Sequence, residues 1–115
     1  MIKRGTTPTN TFTLPFTPPS GSRFTVVYAQ GEEHKEEILF EKNGDDCKNE
    51  GNKLMVRLEK KDTLRIDSKP RWSHGKYAPF PVLMQIGIEA PDGTVLWSHI
   101  ITADPGRVLK PDGEV

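Results

Sequence analysis

The sequence predicts an antiparallel β-sandwich or small barrel. Three observations carry that expectation. Ten prolines and ten glycines punctuate the 115 residues every few positions. Six short runs alternate polar and apolar residues with the two-residue period of a strand. Helical periodicity is nearly absent. The single candidate, Glu32–Lys42, lacks a good cap and contains Ile38-Leu39-Phe40, so its second half reads better as a strand.

The runs follow in order. Thr9–Phe16 alternates through Phe12, Leu14 and Phe16, and Pro8 and Pro15 mark it as an edge strand. Phe24–Gln30 places Phe24, Val26 and Tyr28 on one side. Glu37–Lys42, Lys53–Leu58, Val82–Ala90 and Thr94–Ile101 complete the set. The segments PPSGS, NGDD, NEGN and PDG supply the turns. In APDGT, Pro91 sets the first φ of a turn and Gly93 accepts the positive φ that closes a tight hairpin.

Alternation assigns one face of each strand to the core: Phe12, Leu14, Phe24, Val26, Tyr28, Ile38, Phe40, Leu54, Val56, Leu58, Met84, Ile86, Ile88, Leu96 and Ile100. The opposite face holds Thr25, Glu41, Arg57, Gln85 and Glu89, as a wet face should. It also holds Val27, Leu39, Met55, Leu83, Trp97 and Ile101, which form a candidate assembly face if they are contiguous. The last run carries large apolar groups of both parities, with Val95 and Trp97 against Leu96 and Ile100.

Length sets one domain over residues 1–115, with polar, extended arms at about 1–8 and 108–115. Lysine plus arginine equals aspartate plus glutamate at 16 each, so no global field draws nucleic acid or anionic lipid. The charge is nevertheless divided. Residues 31–51 hold eight acids against three lysines, and residues 53–76 hold eight bases against three acids. Such blocks either pair across neighbouring strands or, at opposite ends, let copies stack head to tail. Cys47 is the sole cysteine, which excludes an internal disulfide and suits a reducing compartment. No apolar run follows the basic N-terminal residues, and none approaches the length of a membrane span, so a cytoplasmic protein without a signal peptide is expected.

No constellation carries chemistry. His34, His74 and His99 share no metal-ligand spacing. Cys47 lies beside Asp45 and Asp46, whose charge disfavours a thiolate. Ser98 and His99 are adjacent, so on a strand they point to opposite faces, and Ser73-His74 likewise makes no hydrolase pair. The segment NGDDCKNEG lacks the alternating acids and distal glutamate of a calcium loop, and turn chemistry explains it. We therefore expect no catalytic residue, no cofactor and no metal. Trp72, Tyr77 and Phe80 cluster in the long connection Asp67–Pro81, where aromatic rings pin a loop to a core. Alternatively, exposed Trp72, Tyr77 and Trp97 stack on sugar rings. Lys69, Arg71 and Lys76 interleave with these aromatics, but the neutral total argues against nucleic acid.

Several short motifs, taken in order, resemble a family. Lys3–Phe16, KRGTTPTNTFTLPF, resembles the opening of small proteins encoded in tailed phages and prophages of Gram-positive bacteria. Tyr28-Ala29-Gln30 matches the end of that family's second strand. Asp46, Cys47 and Gly51 match an acidic-Cys-Gly region, and Leu58, Asp62, Thr63 and Leu64 match a Leu-x-x-x-Asp-Thr-Leu step. Met84-Gln85-Ile86, Asp92-Gly93 and the closing GRVLKPDGEV continue the series. GEEHKEE and the Asp67–Pro81 connection are longer than the family pattern. The resemblance implies an immunoglobulin-like β-sandwich of about six to seven strands, similar to the N-terminal domain of phage baseplate proteins. It also implies a non-enzymatic, virion-associated structural role, with copies of itself or other virion proteins as partners, and residence in the bacterial cytoplasm and then in the virion. It transfers no catalytic residue. The alternative expectation is a small carbohydrate-binding or adhesion module.

Overall fold

The computed structural model describes residues 2–3, 5–32, 34–73, 75–103 and 105–106. His74 and the expected arm at 108–115 lie outside the described residues. Among the described residues, twelve strands, one α-helical turn and, at Gly44–Asp46, one 3₁₀ turn follow in order. They are β1 (Ile2–Lys3), β2 (Thr9–Thr13), β3 (Arg23–Gln30), β4 (Glu37–Asn43), β5 (Cys47–Glu50), β6 (Lys53–Arg57), α1 (Lys60–Thr63), β7 (Arg71–Ser73), β8 (Lys76–Ala78), β9 (Val82–Glu89), β10 (Val95–Trp97), β11 (Ile101–Ala103) and β12 (Pro105–Gly106).

Two antiparallel sheets face each other. One runs β10-β9-β3-β4, with β11 following β10 along the outer edge of β9; the other runs β2-β6-β5. The fold is the expected all-β antiparallel sandwich, with two layers as in an immunoglobulin-like domain. Consecutive β3 and β4 are hydrogen-bonded in one sheet. Between the layers lies one apolar cluster, built from alternate residues of both sheets: Phe24, Val26 and Tyr28 from β3, Met84, Ile86 and Ile88 from β9, and Leu54 and Val56 from β6. Tyr28 is fully buried and stacks on Phe40 with centroids 4.6 Å apart. Its hydroxyl accepts a hydrogen bond from Asn10 Nδ2 across the layers. Burial pushes the phenol up to about 12.

Both edges of the five-stranded sheet contain one extra residue. On β4, Phe40 faces Tyr28, but the next residue of β3, Ala29, faces Ile38, so Leu39 is supernumerary. On the other edge Trp97 faces Gly87 while Ile101 faces Met84, four residues on against three. Each is a β-bulge, and a one-residue insertion inverts which parity faces the core. Ile38 and Ile100, expected in the core, therefore stand on the exposed face. Leu39 and Ile101, expected outside, are half-buried against the core. Leu96 keeps its core-side position opposite Ile88 yet is exposed, because it sits on an edge strand that the facing sheet does not cover. The bulge at Ser98–Ile100 also explains the mixed parity of the last run.

Ser98 repairs the ladder across that bulge. Its backbone N–H donates to the Ile86 carbonyl, and its Oγ accepts the Ile86 N–H at 2.9 Å in place of a backbone carbonyl. The displaced Ser98 carbonyl is taken up by Gln85 Nε2. The APDGT hairpin forms as expected, with Gly93 at φ +91 and the Gly93 N–H donating to the Ala90 carbonyl.

The N-terminal stretch is packed rather than free. Ile2 is in the core, β1 pairs with β12, Thr6 accepts a hydrogen bond from Thr63 Oγ1, and Pro8 accepts one from the Leu58 N–H. The segment expected to be turn, Asn43–Gly51, contains a 3₁₀ turn and the edge strand β5. Among the described residues no helix is long and apolar enough to cross a membrane.

Candidate functional site

Among the described residues, three exposed apolar surfaces stand out, and each arises from a different local device. The first is the outer face of the five-stranded sheet. Val27, Ala29 and Leu83 form its floor, and the two bulges bring Ile38 and Ile100 up on either side. Trp97 lies further along the same face, with its indole over Gly87. A Cβ at Gly87 would come within 2.7 Å of that ring, so the glycine is what lets the indole lie flat. Of the six residues expected to form one assembly face, Val27, Leu83 and Trp97 share it. Leu39 and Ile101 turn inward through the bulges. Met55 stands on the other sheet, where it faces Thr11 and Lys48. Ile38 and Ile100 replace them. Their signal in the sequence is adjacency: Ile38-Leu39-Phe40 and Ile100-Ile101 break alternation, as a bulge does.

The second surface is a cleft of about 530 Å³ at the mouth of the sandwich, between β2 and β10. Phe12, Leu14, Phe16, Ile86, Ile88 and Leu96 line it, with Trp97 at the rim. Both flanking strands are sheet edges.

The third is the ribbon β7–β8. Trp72 and Tyr77 face each other across it, 5.4 Å between centroids and tilted by 32°. They do not pin the connection to the core, since Trp72 is 76% exposed and Tyr77 62%. The pinning is done by Gln30, which is buried at the end of β3. Its Nε2 donates to the Asp67 and Phe80 carbonyls, and its Oε1 accepts the Asp67 N–H. Three hydrogen bonds from one amide thus clamp both legs of the excursion. Arg71 pairs with Asp67 at 2.8 Å and holds that carboxyl below the usual range. The sugar-stacking trio is not assembled: Trp97 belongs to the first surface.

The titratable residues read for chemistry are dispersed. The Cys47 thiol is pushed up to about 11 by burial and by the Asp46 carboxylate, which disfavours a nucleophilic thiolate. Its Sγ donates to the Lys42 carbonyl. Ser98 Oγ donates to the carbonyl of His99 rather than to its ring. Among the described residues no three His, Cys, Asp or Glu side chains are grouped to hold a metal ion.

Among the described residues, the two charge blocks meet at two places. Glu50 faces Lys53 across the β5–β6 ladder. The buried pair Lys42–Asp62, at 2.7 Å, joins a base of the acidic block to an acid of the basic one. The ion pairs Lys42–Asp46, Lys61–Glu59 and Arg71–Asp67 are local. Compared with models of protein families, with curated proteins and with solved structures, the chain finds no match.

Proposed function

We propose that this protein is a non-enzymatic structural component that acts by assembly with copies of itself or with other proteins. Following its resemblance, we place it in the virion of a tailed phage or prophage, made in the bacterial cytoplasm and then built into the particle. The observation that carries the reading is the exposure of large apolar side chains in groups. Ile38, Ile100 and Trp97 share one face, Leu96 and Phe16 flank one cleft, and Trp72 and Tyr77 share one ribbon. Scattered apolar residues are ordinary on a surface, but contiguous patches are characteristic of interaction sites. Tryptophan and tyrosine, which face each other across the ribbon, are enriched at the centres of protein interfaces.

Mass spectrometry of purified particles of the encoding phage tests the reading. The chain is expected in multiple copies per particle, and its absence from particles would overturn the placement. A second reading is favoured by one observation: the Trp72–Tyr77 pair is a solvent-exposed aromatic platform of the kind that stacks on sugar rings. Titration of tryptophan emission with cell-wall polysaccharide, using Trp72→Ala as control, decides it. A saturable shift that the variant loses supports an adhesion module.

A further inference from the structure

We infer that the free edge of β2 accepts one extended strand of a partner protein, which adds to the three-stranded sheet and lays alternate apolar side chains in the mouth of the sandwich. The inference rests on the assembly reading above and names the contact. The two layers differ in width by one strand. One layer is four strands wide, β4, β3, β9 and then β10 with β11 following it; the other is three wide, β5, β6 and β2. Their margins are covered unequally. On β4 the core-side Phe40 is 8% exposed, whereas on β10 the core-side Leu96 is 53% exposed. The position left open is therefore beside β2 and against β10, which is where the apolar cleft lies.

The backbone of β2 is set to bond that strand. The Leu58 N–H donates to the Pro8 carbonyl, and the Leu14 N–H donates to the Asn52 carbonyl. Bonded residues alternate in an antiparallel ladder, so Asn10 and Phe12 also turn their backbone groups to β6, while Thr9, Thr11 and Thr13 turn theirs outward. Pro15, the next residue of that parity, has no N–H, so the outward ladder of donors ends at Thr13. Among the described residues no strand lies on that side of β2. Sheets blunt their edges with charges or bulges. Here β5 carries Lys48 and Glu50, β4 carries Glu37, Glu41 and a bulge, and the β10–β11 edge is bulged. The sequence of β2, TNTFT, has no charge, and its register is unbroken. A strand bonded to Thr9, Thr11 and Thr13 points its intervening residues the same way as Phe12, into the cleft toward Leu96. The partner is thus recognised by its backbone and by uncharged, apolar side chains at every second position. A second copy pairing β2 against β2 would bring its own wider layer onto the space that β10 occupies. Residues 107–115 of this chain include Pro111-Asp112-Gly113, the tripeptide that turns the chain at 91–93 and a poor strand former.

Amide hydrogen exchange of the full chain, followed residue by residue by nuclear magnetic resonance, tests the contact. The probe is a synthetic peptide of alternating threonine and valine with a lysine at each end, acetylated and amidated. In the free protein the Thr9, Thr11 and Thr13 amides are expected to exchange fast, while Phe12 is protected by β6. Peptide at about ten times its Kd is expected to slow all three by about tenfold. The same peptide N-methylated at its threonines, which removes the donors facing β2, is expected to give no protection. Thr11→Pro deletes one outward N–H without touching a bond to β6, a change that edge strands tolerate, and should lose most of the binding. Leu96→Glu puts a charge against the inward side chains and should weaken binding several-fold. Circular dichroism checks the fold of both variants, and the N-methylated peptide keeps the backbone arm decisive if Thr11→Pro does not fold. Slow exchange of the three threonines in the free protein would mean that the chain covers its own edge, and overturns the inference. So does the lack of saturable protection at millimolar peptide, protection that the N-methylated peptide retains, or protection confined to Val95 and Trp97. Each of these would leave assembly through another surface standing, whereas absence from particles would count against the virion placement alone.

Discussion

Asp62 Oδ2 carries two hydrogen bonds at once. Lys42 Nζ donates to it at 2.7 Å, and the Glu59 N–H donates at 2.9 Å, which caps α1. Lys42 and Asp62 are both nearly removed from solvent. Burial alone would raise the carboxyl, but these bonds outweigh it and hold Asp62 below the usual range. For Lys42 burial alone would lower the ammonium, and the bond to Asp62 together with Asp46 outweighs it and raises it. The sign of the pH dependence follows. The Asp62 contribution is complete above its unfolded value of about 3.9 and is lost as pH falls through the lower folded value. The Lys42 contribution is complete below about 10.4 and is lost as pH rises through the higher folded value. The contribution of this pair to stability measured by denaturant is therefore expected to be flat between these limits and to fall outside them, while the raised Cys47 thiol and Tyr28 phenol add a decline of their own that starts at about pH 9. Asp62→Ala leaves the buried ammonium with the half-exposed Asp46, at 3.3 Å, as its remaining carboxylate, and is expected to cost less than the roughly 3–5 kcal/mol of a fully uncompensated buried charge. Lys42→Met combined with Asp62→Asn removes both charges and keeps an acceptor for Glu59, so it should cost less than Asp62→Ala alone. If the double variant is the worse of the two, the pair is not held by mutual compensation.

At the scale of elements, the bulges decide what each edge strand presents. Ser98 Oγ takes the place of the ladder carbonyl for the Ile86 N–H. Ser98→Ala should leave that donor unsatisfied and cost about 1–3 kcal/mol, while Ser98→Thr, which keeps the hydroxyl, should cost less in the same denaturation experiment. Equal costs would mean that a different group satisfies the amide. Gln30 predicts a different behaviour, because its three bonds hold an excursion and not the core. Gln30→Ala is expected to raise the rate of limited proteolysis within 68–79 with a smaller effect on global unfolding, since ribbons of few buried contacts open locally. Unchanged cleavage would mean that the ribbon is held elsewhere. The same elements show what the sequence made legible. Alternation located β2, β3, β4, β6 and β9 and most of the core, because burial against a facing sheet imposes a period of two. It failed at Ile38, Leu39, Ile100 and Ile101 because one inserted residue inverts the period locally. It missed β5 and α1 because both are four residues long and made of turn-forming or charged side chains. It placed Trp72 and Tyr77 on the core because aromatic residues usually bury, and nothing in Gln30 alone marks it as the clamp.

The whole molecule is a slab of 45 × 34 × 19 Å, thin in one direction because two sheets about 10 Å apart make only one apolar layer. Its radius of gyration, 15.1 Å, exceeds the roughly 13 Å of an equally long compact chain. A flat shape leaves much apolar surface at its margins, and the sandwich is open where β2 and β10 diverge. That mouth is within the roughly 300–1,000 Å³ of small-ligand sites, and its lining is apolar enough to take an extended side chain or an aromatic molecule. The folded protein is therefore expected to bind an environment-sensitive dye such as anilinonaphthalene sulfonate under conditions where its melting curve is unperturbed. Leu96→Glu puts a charge on the edge-strand wall of the cleft without removing a buried core residue, so the fold should persist while most of the dye emission is lost. Ile38→Lys, on the opposite side of the same sheet, should retain it. A dye signal equal in the two variants would place the binding elsewhere, and no native-state signal in wild type would mean that the mouth is closed in solution.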